Sequence, residues 1–167
     1  MTKAVRLALA LLALGGLSAC QLRPVYAGGA SGPVAQGLAA IDVAPMEGRA
    51  GWLVKNALDD RLRQTGVDAP RRYRLDILLD DQLEGLGLLT DDTIGRERRT
   101  LRARYQLVDT SDGAILVDAT AGSDAGIDVV SSEYAVIAAE ETALENLADE
   151  IADQIVRRLT LTLSERQ

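Results

Sequence analysis

The stretch RERRTLRARYQLVDTSDGAILVDATAG, residues 96–122, decides the fold class. Through Arg96–Asp109 apolar and polar residues alternate. Leu101, Ala103, Tyr105 and Leu107 take one side, and Arg98, Thr100, Arg102, Arg104 and Gln106 the other. Successive side chains of a strand point to opposite faces, so this is a strand with one buried and one wet face. Ser111-Asp112-Gly113 is a tight-turn signal. Ile115, Val117, Ala119 and Ala121 resume the alternation beyond it. The two strands form a hairpin whose apolar face needs a cover.

Moving upstream, Glu84–Gly95 is rich in glycine and acid and reads as a loop. Before it, Arg72–Leu83 alternates again, with Tyr73, Leu75, Ile77 and Leu79 against Arg72, Arg74, Asp76 and Asp80. Trp52–Thr65 changes period: Val54, Leu58 and Leu62 form one helical row with Leu53 and Ala57 beside it, and Gly66 stops the helix. Gly48-Arg49-Ala50-Gly51 is a turn before that helix, and Ile41–Pro45 is a short strand closed by proline. Trp52 is expected in the core. Arg49, at the helix start, is expected to cover the sheet edge or to touch a partner.

Downstream, the strand is expected to fade into Gly122–Ser132. Ser131 or Ser132 can cap a helix over Glu133–Leu161, with the stripe Ile137, Leu144, Ala148, Ile151, Ile155 and Leu159. Glu140, Glu141 and Glu145 lie toward its start and Arg157 and Arg158 near its end, which suits the helix dipole. The order β-α-β-β-β-α predicts an α+β two-layer sandwich: a mixed four-stranded sheet with two helices on one face.

The N-terminus is an address. Lys3 and Arg6 precede an apolar run from Leu7 to Leu17, too short for the roughly 20 residues a spanning helix needs. It reads as a signal peptide over residues 1–19. Leu17-Ser18-Ala19-Cys20 is similar to a bacterial lipobox, which implies acylation of Cys20 as the first mature residue. Multiple acyl chains anchor stably where one does not. Gln21 in place of aspartate implies the cell outer membrane, periplasmic side. Residues 20–38 then form the lipidated N-terminus and a flexible tether, with Ala27–Gly37 dominated by Gly, Ala, Ser and Pro. Residues 39–167 form a single domain.

Composition excludes much. The chain has 167 residues, 18 basic and 25 acidic, net −7. Removing the leader takes away Lys3 and Arg6 and leaves −9. With no histidine there is no Ser-His-Asp or Cys-His nucleophile and no imidazole metal ligand. One cysteine makes no internal disulfide. Acidity and scarce aromatics argue against nucleic acid. The pairs Asp80-Asp81, Asp91-Asp92 and Glu140-Glu141 read as solvated faces and loops rather than acid–base or calcium groups. The expectation is a non-enzyme without cofactor or metal.

Together the lipobox, Arg23-Pro24-Val25-Tyr26, Ile41-Asp42-Val43-Ala44-Pro45, Gly48-Arg49-Ala50-Gly51, Tyr73-Arg74-Leu75, Tyr105-Gln106-Leu107, Asp112-Gly113, Tyr134-Ala135 and Ala139-Glu140 resemble the LPS-assembly lipoprotein LptE family. Order and spacing carry the resemblance across the mature chain. It implies a small α/β lipoprotein that plugs the LptD β-barrel, assists its assembly and takes part in lipopolysaccharide transport to the outer leaflet. It also implies that some members contact lipopolysaccharide through basic residues. The strongly negative charge of this chain puts broad attraction of an anionic glycolipid in doubt. The alternative is an auxiliary periplasmic lipoprotein of another lipid-transport system.

Even spacing puts Arg98, Arg102 and Arg104 on one strand face, and Arg72 and Arg74 on the polar face of the preceding strand. Antiparallel pairing is expected to bring Arg72 and Arg74 near Arg102 and Arg104, with Asp80 nearer Arg98, as a cationic patch. Guanidinium groups suit phosphate recognition. Three readings stay open for this patch: a solvated face, a contact with the barrel wall, or direct contact with lipopolysaccharide.

Overall fold

A computed structural model describes residues 32–64, 66–88 and 94–166. The leader, Cys20 and the first part of the tether lie outside the described residues, as does Asp91-Asp92. The elements are α1 (Pro33–Ala39), β1 (Ile41–Val43), α2 (Gly48–Arg63), β2 (Tyr73–Leu88), β3 (Ile94–Asp109), β4 (Ile115–Asp128) and α3 (Glu133–Glu165). The sheet is mixed, in the order β1-β2-β3-β4, with β1 parallel to β2 and the other pairs antiparallel. The architecture is the α+β sandwich expected, with one additional helix.

That helix is α1, and it corrects the reading of Ala27–Gly37 as tether throughout. From Pro33 the chain is helical, with proline in the first turn, where its missing N–H costs nothing. Val34, Ala35, Leu38 and Ala39 are buried. Small residues that look like a linker here pack closely, α1 lying against α2 and α3.

Three further boundaries move. Gly48–Gly51 is the first turn of α2, not a turn before it. β2 and β3 run through most of the expected loop, pairing as far as Leu88 with Ile94. β4 continues past Gly122 to Asp128, pairing with β3 down to Arg96. In each strand the cross-strand ladder outweighs the local cost of glycine. Ile115 leaves the apolar face. A register shift at Leu107/Val108 pairs Val108 with Ile115 and Leu107 with Val117, so Leu116 packs against the core and Ile115 is exposed.

α3 spans 33 residues, about 50 Å at about 1.5 Å per residue. The 16-residue strands β2 and β3 reach about 53 Å at about 3.3 Å per residue, so one helix crosses the whole sheet. The Ser132 hydroxyl accepts a hydrogen bond from the Ala135 N–H at its start. Leu144, Ala148, Ile151, Ile155 and Leu159 meet Leu58, Leu75, Leu101 and Leu107 in the core. Gly66, in the left-handed region at φ +65°, follows α2 and donates to the Arg63 carbonyl.

α2 and α3 run parallel, tied by two ion-pair clusters: Arg49 with Glu141 and Glu145, and Arg61 with Asp149 and Asp153. From one cluster to the other the contacts advance twelve residues along α2 and eight along α3. Before Glu141 there is no α2 left to pack on, so Ile137 is exposed rather than in the core. Trp52 also departs from expectation: it is 56% exposed, with the Arg49 guanidinium 5.1 Å from its ring.

Candidate functional site

Among the described residues, the helices leave one face of the sheet uncovered. β3 runs through the middle of that face and presents Arg96, Arg98, Thr100, Arg102, Arg104 and Gln106. β2 places Asp76, Leu78, Asp80 and Glu84 on one flank, and β4 places Asp118, Asp124 and Asp128 on the other. An arginine stripe therefore lies between two acidic rows. With Arg74 the face carries five arginines against six carboxylates, so it is not a cationic patch.

The register explains why. Arg102 stands opposite Asp80 and Arg104 opposite Leu78, while Arg98 is opposite Glu84. Arg74 lies opposite Val108, at the far end of the strands from Arg98, so Arg72 and Arg74 do not join Arg102 and Arg104. Arg72 instead bonds Asp109 at 3.0 Å, and Arg74 bonds Asp76 at 2.9 Å. The stripe itself leans toward β4. Arg104 pairs with Asp118 at 3.3 Å, Arg98 with Asp124 at 3.6 Å and Arg96 with Asp128 at 3.3 Å. Hydrogen bonds from Gln106 and Arg104 hold the Asp118 carboxyl below the usual aspartate range.

Arg102 differs from its neighbours: among the described residues it has no carboxylate within ion-pair distance. It borders a shallow open depression of about 550 Å³, lined also by Leu78, Asp80, Thr100, Thr120 and Gly122. Gly122 makes the room: a Cβ there would stand 3.4 Å from the Arg102 side chain. The depression suits one anionic group on a single guanidinium, with Leu78, 74% exposed, offering an apolar neighbour.

The reading from residues alone identified Arg98, Arg102 and Arg104 on one face but missed Arg96, Gly122 and the counter-charges of β4. Asp118, Asp124 and Asp128 share one strand parity, a signal hidden by ending that strand near Gly122. Among the described residues no cluster of three or more acidic, histidine or cysteine side chains is arranged to hold a metal. No described helix is long and apolar enough to cross a membrane.

Asp109 anchors the hairpin end of the sheet. It is 5% exposed, and its carboxylate accepts from the Ser111 N–H and hydroxyl and from Arg72. Those bonds, Ser111 first, lower its pKa. A depressed folded pKa gives stability that is present above the unfolded value and lost as pH falls through the folded one. Asp109→Asn is therefore expected to lower the melting temperature at neutral pH. The gap from the parent should close as pH drops below about 4, the ordinary aspartate value. A gap constant from pH 7 to pH 2 would exclude this role.

A family model for LptE, described as lipopolysaccharide-assembly, matches residues 38–159, which take in every element from β1 to most of α3. The chain belongs to the LptE family. LptE-family chains are lipopolysaccharide-assembly lipoproteins. Among solved structures, it is similar to a candidate lipoprotein from Caulobacter crescentus CB15, at 27% identity and TM-score 0.67, covering 81% of this chain and 98% of that one. The rare lipoprotein B of Shewanella oneidensis is 13% identical, with TM-score 0.56, covering 75% and 96%. A minor lipoprotein of Acinetobacter baumannii is 16% identical, with TM-score 0.55, covering 72% and 88%. These last two share the fold. Among curated protein sequences none matches this LptE-family chain.

Proposed function

We propose that this protein is the lipoprotein subunit of an outer-membrane lipopolysaccharide translocon. Acylated at Cys20, it is held at the cell outer membrane on the periplasmic side. There it plugs the LptD β-barrel, assists its assembly and takes part in lipopolysaccharide transport to the outer leaflet. The observation that carries this reading is the LptE family match over residues 38–159. Its role is steric and non-catalytic: a rigid two-layer body fills a lumen. The test is isolation of the native complex from membranes, with mass-spectrometric identification of its components. A stoichiometric LptD barrel is expected. Recovery without a barrel, together with a depletion phenotype in phospholipid traffic, would favour an auxiliary lipoprotein of another lipid-transport system.

Within this reading the arginine face contacts an anionic partner through Arg102, because Arg72, Arg74, Arg98 and Arg104 already have carboxylates. One charge-assisted hydrogen bond is worth about 1.5–3 kcal/mol, so Arg102→Ala is expected to weaken lipopolysaccharide binding in vitro about tenfold or more. Arg104→Ala should cost less. Unchanged binding in the Arg102→Ala/Arg104→Ala double variant would remove this face from the reading.

A further inference from the structure

We propose that the open edge of β2 is a strand-addition site for an extended, basic segment of a partner polypeptide. β1 covers only the start of β2, pairing Ile41–Val43 with Tyr73–Leu75. On that edge Tyr73 donates to the Ala40 carbonyl and the Leu75 carbonyl accepts from Ala44. Strand groups repeat with period two, so Ile77, Leu79, Asp81, Leu83 and Gly85 turn their N–H and C=O groups to the same edge. Among the described residues nothing bonds to them there.

The opposite edge of the sheet is instead interrupted midway by a side chain of α3. On β4, the Gln154 side chain of α3 accepts from the Gly122 N–H and donates to its carbonyl, both at 3.2 Å, as a neighbouring strand would. The Ser123 hydroxyl bonds Glu150 beside it. Among the described residues β2 has no such plug, and it carries neither proline nor lysine, two of the devices that protect a long edge; its charges there are mainly acidic.

Charge names the occupant. The β3 arginines lean to β4, so among the described residues the β2 carboxylates Asp80 and Glu84 have no cation within ion-pair distance. Among the described residues Asp80 accepts from the Gln82 amide alone. In the register centred on Asp80, a second copy pairing antiparallel through this edge would set Asp76 and Glu84 against each other and Asp80 against its own counterpart. Like charges directly opposite are unfavourable. An added strand with cations four residues apart would face Asp80 and Glu84, with an apolar residue two positions away beside the exposed Leu78. This inference stands on strand geometry and does not depend on what Arg102 binds.

The experiment uses the full chain in detergent micelles with two labelled eleven-residue peptides. Both have a Val/Thr background; one carries Lys at positions 4 and 8, the other Glu. The Lys peptide is expected to bind about tenfold tighter, two cross-strand charge pairs changing sign between the probes. It should slow amide exchange at Ile77, Leu79, Leu83 and Gly85 and leave β4 unchanged. Leu83→Pro removes an edge N–H without touching the β2–β3 ladder and should weaken binding. Asp80→Lys/Glu84→Lys, which leaves the backbone intact, should reverse the preference. Equal binding of both peptides overturns the proposal. So does protection at β4 or nowhere, self-association through β2 without peptide, or a Lys preference that survives the charge reversal.

Discussion

Ile151→Ala is expected to destabilise the domain by about 2–5 kcal/mol, the range for truncating a fully buried isoleucine. Ile151 is 0% exposed, midway along α3, where that helix lies over the sheet beside α2. α3 packs against α2, β3 and β4, so a cavity in this core is not closed by a shift of one element alone. Chemical denaturation should show a lower midpoint at an unchanged slope, the sign of lost stability rather than an altered unfolded state. A loss under about 1 kcal/mol would mean that this part of the core repacks freely. Leu161, exposed on the far side of the same helix, is the control: Leu161→Ala should change stability little.

Gly51→Ala should destabilise although alanine favours helix. A Cβ at position 51 would stand 2.7 Å from the Met46 Cβ and 2.9 Å from the Met46 carbonyl carbon. The second atom is backbone, so the segment leading from β1 into α2 would have to move. The helix gain of about 1 kcal/mol is outweighed by an overpacking cost of typically 1–3 kcal/mol. We expect Gly51→Ala to cost up to about 2 kcal/mol and Gly51→Val more. Asn56→Ala, exposed on the same helix, should be neutral or stabilising. Thermal melts of the three variants check the order, and a stabilised Gly51→Ala would refute the close approach.

Gly51 also shows where reading from residues stops. Gly48-Arg49-Ala50-Gly51 looks like a turn because glycine is a poor helix former. The true reason for Gly51 is the Met46 backbone against it, a contact set by how α2 leaves β1. The same holds for Pro33–Gly37, read as linker from its small residues and helical because α2 and α3 give it a surface. Trp52 and Ile137 fail in the other direction. Each is apolar enough for a core, but the helix packing gives neither a partner surface. At the arginine face, strand parity correctly grouped Arg98, Arg102 and Arg104. It could not reveal that Asp118, Asp124 and Asp128 neutralise their side of the sheet, nor that Arg72 and Arg74 sit at the other end.

The sequence by itself determined the period of most elements: the alternation of β2, β3 and the start of β4, the turn at Ser111-Asp112-Gly113, and the helical rows of α2 and α3. These are local, because backbone geometry repeats every two or 3.6 residues whatever lies nearby. Tertiary structure decided the rest: the strand register, the counter-charge each arginine meets, the Gln154 plug on β4 and the edge left open on β2. Those depend on residues dozens of positions apart being brought together, as Arg72 is with Asp109 and Gly122 with Gln154. Long-range pairing, not local propensity, turned an expected cationic patch into a balanced face with one arginine left over.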